Sequence, residues 1–222
     1  MFPHLDISAN NGTNVRTRDC CPQILAQSGL GAQARTSYPR HLEAMLRLPE
    51  GQPVFLRPIR PEDAADLQAG FKRLTPHDVR MRFLQSLPEL SPSQAAYLTH
   101  IDYDRHMALV AIGLDPKGGT DGWGVARFVA DSEGGRAEFA VVVRSDVQRR
   151  GVGSLLLDRL LAYARTRGIG QVWGDVLADN HAMLALARKR GFWIARSPEE
   201  RGAMRVSKDL SALGASAQEP FA

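Results

Sequence analysis

The chain predicts an α+β fold with a central mixed, mostly antiparallel sheet flanked by helices. Three observations carry this expectation. Apolar, β-rich runs at 107–114, 122–130 and 136–144 follow one another across short glycine-rich turns. Two helix-period segments, opening after Gly151 and near Asn180, are each stopped by a glycine, Gly168 and Gly191. Two helix-start signatures, Thr75-Pro76-His77-Asp78 and Ser91-Pro92-Ser93-Gln94, stand upstream of the strands.

From the N-terminal side, "PVFLRPI" from Pro53 alternates and predicts the first strand. Glu62 to Arg73 places Ala64, Ala65, Leu67 and Phe71 on one helical stripe. The helix opened by Thr75 carries Val79, Met81 and Phe83 inward, and Ser91 opens another through Leu98. "MALVAIGL" (107–114) and "GWGVARFVA" (122–130) then form a hairpin across a turn at 116–122. "RAEFAVVVR" (136–144) is nearly continuous in apolar residues, as a central strand requires. The helix from Val152 to about Arg167 buries Leu155, Leu156, Leu160, Leu161 and Ala164. "QVWGDVL" is the next strand, a helix runs from Asn180 to Arg190, and "FWIAR" with "AMRVSKDL" closes the sheet as a terminal pair. Trp123, Trp173 and Trp193 read as packing residues.

Residues 1–44 mix polar residues and glycine without a period and read as a disordered leader. The domain is expected over 45–210, with a tail at 211–222, and Met45 is a candidate alternative start. Cys20 and Cys21 are adjacent and carry no metal spacing, so no metal is expected. With no secretory signal and no apolar run of about 20 residues, the setting predicted is cytoplasmic and off the membrane. The net charge of +4 is mild and not gathered into a basic tract, which argues against nucleic acid and is compatible with a small polyanion.

The chemistry concentrates at "DVQRRGVGSLLLD", Asp146 to Asp158. A Walker loop needs lysine after its last glycine, and Ser154 stands there. A dinucleotide fingerprint needs a third glycine where Leu156 stands, and a preceding strand without a charge where Glu138 stands. Gln148-x-x-Gly151-x-Gly153 remains, between a strand and a helix. Taken alone it reads as a strand-to-helix turn that carries glycine. It also suits a pyrophosphate, because unpaired N–H groups and the helix dipole point out of a helix start. Arg149 and Arg150 can add charge at its rim.

Context separates the two readings. "AEFAVVVRSDVQRRGVGSLLLDRLLAYARTRG" resembles motif A of the GNAT acyltransferase superfamily, and "DVLADNHAMLALARKRGFW" resembles motif B. Upstream, "LRPIRPEDAADL" and "MRFLQSLPELSPSQAAYLTHIDYDRHMALVAI" are more particularly similar to the acetyltransferase domain of bacterial Pat-type protein lysine acetyltransferases. The likeness covers roughly 53–210. It implies a GNAT-like sheet with a splay between its two central strands and acetyl-CoA as donor. The pyrophosphate would lie on Gln148, Arg149, Arg150, Gly151, Val152, Gly153 and Ser154. The pantetheine arm would pair with Val141, Val142 and Val143, and Asn180 would touch the donor from motif B.

A lysine amine of pKa about 10.4 is only about 0.1% neutral at pH 7.4, so a general base is worth having. Glu138, the one acid on its strand, stands where many members of the superfamily place a catalytic glutamate. Backbone N–H groups near Val143 could polarise the thioester oxygen. Many members also carry a tyrosine acid in motif B, at the position of Ala187 here; solvent or Tyr163 is the substitute. The acids of Asp102-Tyr103-Asp104-Arg105 would attract a cationic lysine of a protein partner. The alternatives are acetylation of a small amine (a polyamine or antibiotic) and an acyl-CoA-binding sensor without turnover.

Overall fold

A computed structural model describes residues 37–84, 88–114 and 117–211. Eight strands form one sheet: β1 (Ala44–Arg47), β2 (Pro53–Pro58), β3 (His106–Leu114), β4 (Thr120–Ala130), β5 (Arg136–Val143), β6 (Gln171–Leu177), β7 (Trp193–Arg196) and β8 (Ala203–Asp209). Their spatial order is β1-β2-β3-β4-β5-β6-β8-β7, with every neighbour antiparallel except β5 and β6. The helices are α1 (Ala64–Lys72), α2 (Pro76–Phe83), α3 (Pro92–Thr99), α4 (Val152–Thr166) and α5 (His181–Lys189).

The expected α+β architecture is present, with an added strand. β1 was not anticipated: Ala44–Arg47 pairs with Pro53–Leu56 across a turn at 48–52. Tyr38 and Leu42, inside the stretch read as a leader, pack on the core, and Met45 lies within β1. Residues 1–36, including both cysteines, and 212–222 lie outside the described residues. Ala65 is exposed; the α1 stripe is Ala64, Leu67 and Phe71, because a step of one turns about 100° off the buried face. β4 begins at Thr120, inside the segment expected to turn. Trp123 is buried against Gly113, where any side chain would collide with the ring, but Trp193 is 78% exposed on the edge strand and is not a packing residue.

Helices cover the two faces differently. α4 lies over β3, β4 and β5, with Tyr163 stacked on Phe128 and Leu156, Leu157 and Leu160 fully buried. α5 joins it on this face through Leu184, Ala187 and the following Phe192, whose ring meets Phe139. α1 and α3 cover the other face, where Leu67 and Phe71 stand over Val110 and Val125.

α2 is fixed across the top of the sheet. Thr75 and Asp78 form the expected reciprocal cap, with Pro76 at the first helical position. The Asp78 carboxylate also accepts from Ser145 Oγ and, at 3.3 Å, from Gln148 Nε2, both beyond the end of β5. Arg80 reaches Asp179, beyond the end of β6, at 2.9 Å. One short helix thus bridges the ends of both central strands. Burial pushes the Asp78 carboxyl up, but hydrogen bonds from Ser145, Thr75 and Gln148 outweigh it and hold the group below its ordinary value. A depressed folded-state pKa contributes stability above the unfolded value, near 3.9, and loses it as pH falls through the folded value. Asp78→Asn should therefore lower the melting temperature by a few degrees at pH 7, from a loss of about 1–2 kcal/mol. Thermal melts across pH should show the gap from the wild type closing below about pH 4.

Candidate active site

β5 and β6 are paired over three positions only: Arg136 with Gln171, Ala137 with Val172 and Glu138 with Trp173. Both strands run on, β5 to Val143 beside β4 and β6 to Leu177 beside β8. The last close approach is at Gly174, where an added Cβ would stand 2.8 Å from the Phe139 carbonyl oxygen. Beyond it the facing edges part, which is the splay the sequence implied. The Arg144 N–H bonds the Trp123 carbonyl of β4 at 3.0 Å. Backbone groups alternate along an antiparallel strand, so Val142 also faces β4 while Val141 and Val143 face the opening. Val143 confirms this parity, since its carbonyl accepts from Gln148 Nε2 at 2.9 Å. Of the three valines expected to pair with a ligand, two turn backbone groups to the opening; Val142 turns its side chain to a cavity on the α1–α3 face.

The glycine loop stands at the mouth of this opening. Gly151 is the N-cap of α4 at φ 95°, a conformation only glycine adopts freely, and no side chain caps the helix. The first N–H groups, those of Val152, Gly153 and Ser154, therefore have no intrahelical acceptor. A Cβ at Gly153 would touch Val143 and Leu186, so this glycine lets α4 start close against β5 and α5. Arg149 is exposed and held at φ 62°, and Arg150 is half-buried.

Glu138 is buried, 9% exposed, in the last paired row before the strands part. The row runs His106, Val129, Glu138, Trp173 across β3 to β6, on the α1–α3 face. Arg127 is opposite Ala140 on the same face, one diagonal step from Glu138. It is 3% exposed and donates to His106 Nε2 at 2.9 Å and the Leu98 carbonyl at 3.1 Å. Since arginine only donates, His106 Nε2 carries the lone pair. Burial, reinforced by Arg127, holds His106 well below its usual pKa and therefore neutral.

Beside Arg127, between the sheet and α1–α3, lies a cavity of about 420 Å³. At its upper end Arg144 joins Asp121, at 2.5 Å, to Asp146, and Arg73 adds a two-bond pair to Asp121. The bonds that Arg144 donates to Asp146 and Asp121 raise its pKa against the effect of burial.

Other expected residues sit as follows. Asn180 caps α5, its Oδ1 accepting from the Met183 N–H at 3.1 Å. Ala187 is fully buried. Tyr163 is a packing residue: its hydroxyl donates to the Tyr103 carbonyl at 2.7 Å, near the far end of α4 from the loop. The acids at 102 and 104 make local contacts. Asp102 accepts the N–H groups of Asp104, Arg105 and His106, and Asp104 pairs with Arg167. Sequence reasoning missed Asp78, Arg127 and Arg144. Arg127 carried a usable signal, a single charge inside an apolar strand. Among the described residues no group of His, Cys, Asp or Glu is placed to hold a metal, and no helix is long and apolar enough to cross a membrane.

The profile of the Acetyltransferase (GNAT) family matches residues 78–192. An acetyltransferase of Pseudomonas aeruginosa is 34% identical over 153 residues, 69% of this chain and 82% of that protein. The acetyltransferase Pat of Mycolicibacterium smegmatis is 29% identical over 174 residues, 77% of this chain but half of the relative's length. Among solved structures, the GNAT domain of S. lividans PAT superposes with a TM-score of 0.70 at 30% identity, covering 78% of this chain and 99% of that one. A putative acetyltransferase from Salmonella typhimurium, solved with its cofactor acetyl-CoA, shares the fold at a TM-score of 0.54 and 19% identity, covering 74% and 98% of the two chains.

The ion network above the cavity gives a stability test. Arg144→Met would leave the Asp121 carboxylate, whose side chain is 10% exposed, to its pair with Arg73 and would remove the tie to Asp146. The expected loss is about 1–2 kcal/mol, read as a melting temperature lower by roughly 2–8 °C.

Proposed function

The chain belongs to the acetyltransferase (GNAT) family, and from that premise we propose that it moves an acetyl group from acetyl-CoA to an amine with Glu138 as general base, a lysine side chain of a protein being the acceptor. The observation that carries this reading is the position of Glu138, in the last paired row before the opening lined by Val141 and Val143. Relatives named acetyltransferases argue against the alternative of binding without turnover.

The donor's pyrophosphate suits the start of α4, where uncapped N–H groups and the positive end of the dipole meet an anion. Arg149 supports this placement, because holding a non-glycine residue in the left-handed region costs on the order of 1–2 kcal/mol and such outliers gather at functional sites. The pantetheine arm would run as a short added strand on Val141 and Val143. In doing so it takes over the Val143 carbonyl from Gln148.

In the transfer, the protonated amine gives a proton to the Glu138 carboxylate, directly or through one water. The free nitrogen attacks the thioester carbonyl carbon, and the oxyanion is stabilised by backbone N–H groups at the end of β5. Collapse breaks the C–S bond, and the nitrogen's remaining extra proton passes to the departing thiolate or to solvent as the amide forms. A thiolate with a pKa near 8.5 leaves without needing a strong acid, which suits a site with Ala187 where the tyrosine would be. The resemblance to Pat-type protein lysine acetyltransferases supports the protein acceptor. The cavity beside Arg127 favours a second reading, a small amine held inside the protein.

Glu138→Gln should reduce turnover by ~10²-fold or more with acetyl-CoA affinity nearly intact. Unchanged turnover in a thiol-release assay would remove Glu138 as the base. Gly151→Asp places a side chain and a negative charge at a position of positive φ, with its Cβ 2.9 Å from Pro49. Calorimetry should then find CoA binding weakened by at least tenfold, and unchanged affinity would contradict the phosphate assignment.

A further inference from the structure

We propose that the open face of the sheet over β6, β8 and β7 docks the acceptor protein as an extended segment that sets its lysine against Trp173 and a nearby large apolar side chain against Trp193. This rests on the reading that transfer to a protein lysine occurs beside Glu138.

Register places two indoles in one row with the base. Glu138 pairs with Trp173, Trp173 with Ser207 and Ser207 with Trp193, so all four side chains stand on the same side of the sheet. Helices cover that side unevenly. α1 and α3 lie over the β3–β4 half, and α2 crosses the strand ends. Over β6, β8 and β7 the same side meets solvent: Trp173, Arg205 and Ser207 are half-buried, Ala195 is exposed and Trp193 is 78% exposed. A lysine borne by a protein reaches Glu138 from this half, because the backbone that carries it cannot pass beneath α1 and α3.

The inner end of the row suits a lysine. Arg205 lies over the Trp173 ring, 4.1 Å from its centroid. Two bonds to Asp175, of 2.7 and 2.9 Å, fix the guanidinium there, and Glu199 stands 3.5 Å from it. The stack holds the indole as a firm wall beside the base. With one ring face taken by Arg205, the remaining exposed surface of the half-buried indole is open to the apolar stem of a lysine. The two carboxylates, Asp175 and Glu199, outnumber the one guanidinium, so this cluster draws a cation.

The outer end suits an apolar anchor. Trp193 presents most of its indole to water, and tryptophan is among the side chains that carry most binding energy when an interface covers them. Ser207, between the two indoles, is small and leaves a trough. Trp173 and Trp193 are two strand spacings apart, about 10 Å, which is the span of about three extended residues. An extended segment that crosses the strands over Ser207 therefore sets its lysine at Trp173 and the side chain about two or three residues along at Trp193.

The test uses the full chain and thiol release from acetyl-CoA, with synthetic peptides that each carry one lysine. In one set leucine or phenylalanine stands about two or three residues from the lysine, and in the other serine stands there. The wild type should prefer the apolar set by about tenfold in kcat/KM, mainly through KM. Trp193→Ala should bring that ratio toward one, and Trp193→Phe should keep most of it. Trp193 is exposed on an edge strand, so both variants should fold. Calorimetry in the presence of CoA should show the apolar peptides binding Trp193→Ala about tenfold more weakly than the wild type. Equal efficiency on the two sets, or a preference that survives Trp193→Ala, would overturn the proposal and leave the protein acceptor in place. Transfer to small amines with none to any lysine peptide would overturn both. If the preference and its dependence on Trp193 hold while Glu138→Gln turns over normally, the base assignment fails and this docking face stands.

Discussion

The pairing of β5 with β6 stops after Glu138 and Trp173, and the rest of the site follows from that stop. A parallel strand normally satisfies both edges in the interior of a sheet. Here β5 keeps β4 on one side and β6 keeps β8 on the other, while their facing edges are left to part. An opening in the middle of a sheet is otherwise costly, because buried backbone polar groups demand partners. A ligand with amide groups of its own would supply them, as in the proposed placement of the donor. The Gln148 side chain covers the Val143 carbonyl.

The opening is held from above rather than from within. α2 touches the chain just after β5 through Asp78 and just after β6 through Arg80. The Arg144 network ties the end of β5 to the start of β4. These contacts fix the mouth without filling it. Beneath the mouth, the same face carries Glu138, Arg127 and the cavity, so the opening and the cavity meet at one strand.

Much of this was legible in the chain. The glycine at a helix start, the lone acid on an apolar strand and the Thr75 and Ser91 caps are local signals, and each rests on chemistry within about four residues. What was not legible depends on distant partners. Asp78 reads as a cap from its neighbours, but its bond to Ser145 spans 67 residues. Arg144 looks like a strand terminus until Asp121 is brought beside it. Trp193 was misread because an edge strand exposes what a central one buries. β1 was overlooked although "AMLRLPEGQPVF" has alternation on both sides of a turn; its four residues fell next to an aperiodic leader and gave too short a period. Arg127 carries the same signal as Glu138, one charge in an apolar stretch of strand.

Acetyl transfer at this opening requires the donor to lie along β5. Residue-resolved amide hydrogen exchange with and without saturating CoA addresses this directly. Val141 and Val143 should become strongly protected, together with Val152, Gly153 and Ser154, while Val142, already turned to β4, should change little. Protection confined to other segments, with Val141 and Val143 exchanging as before, would contradict it.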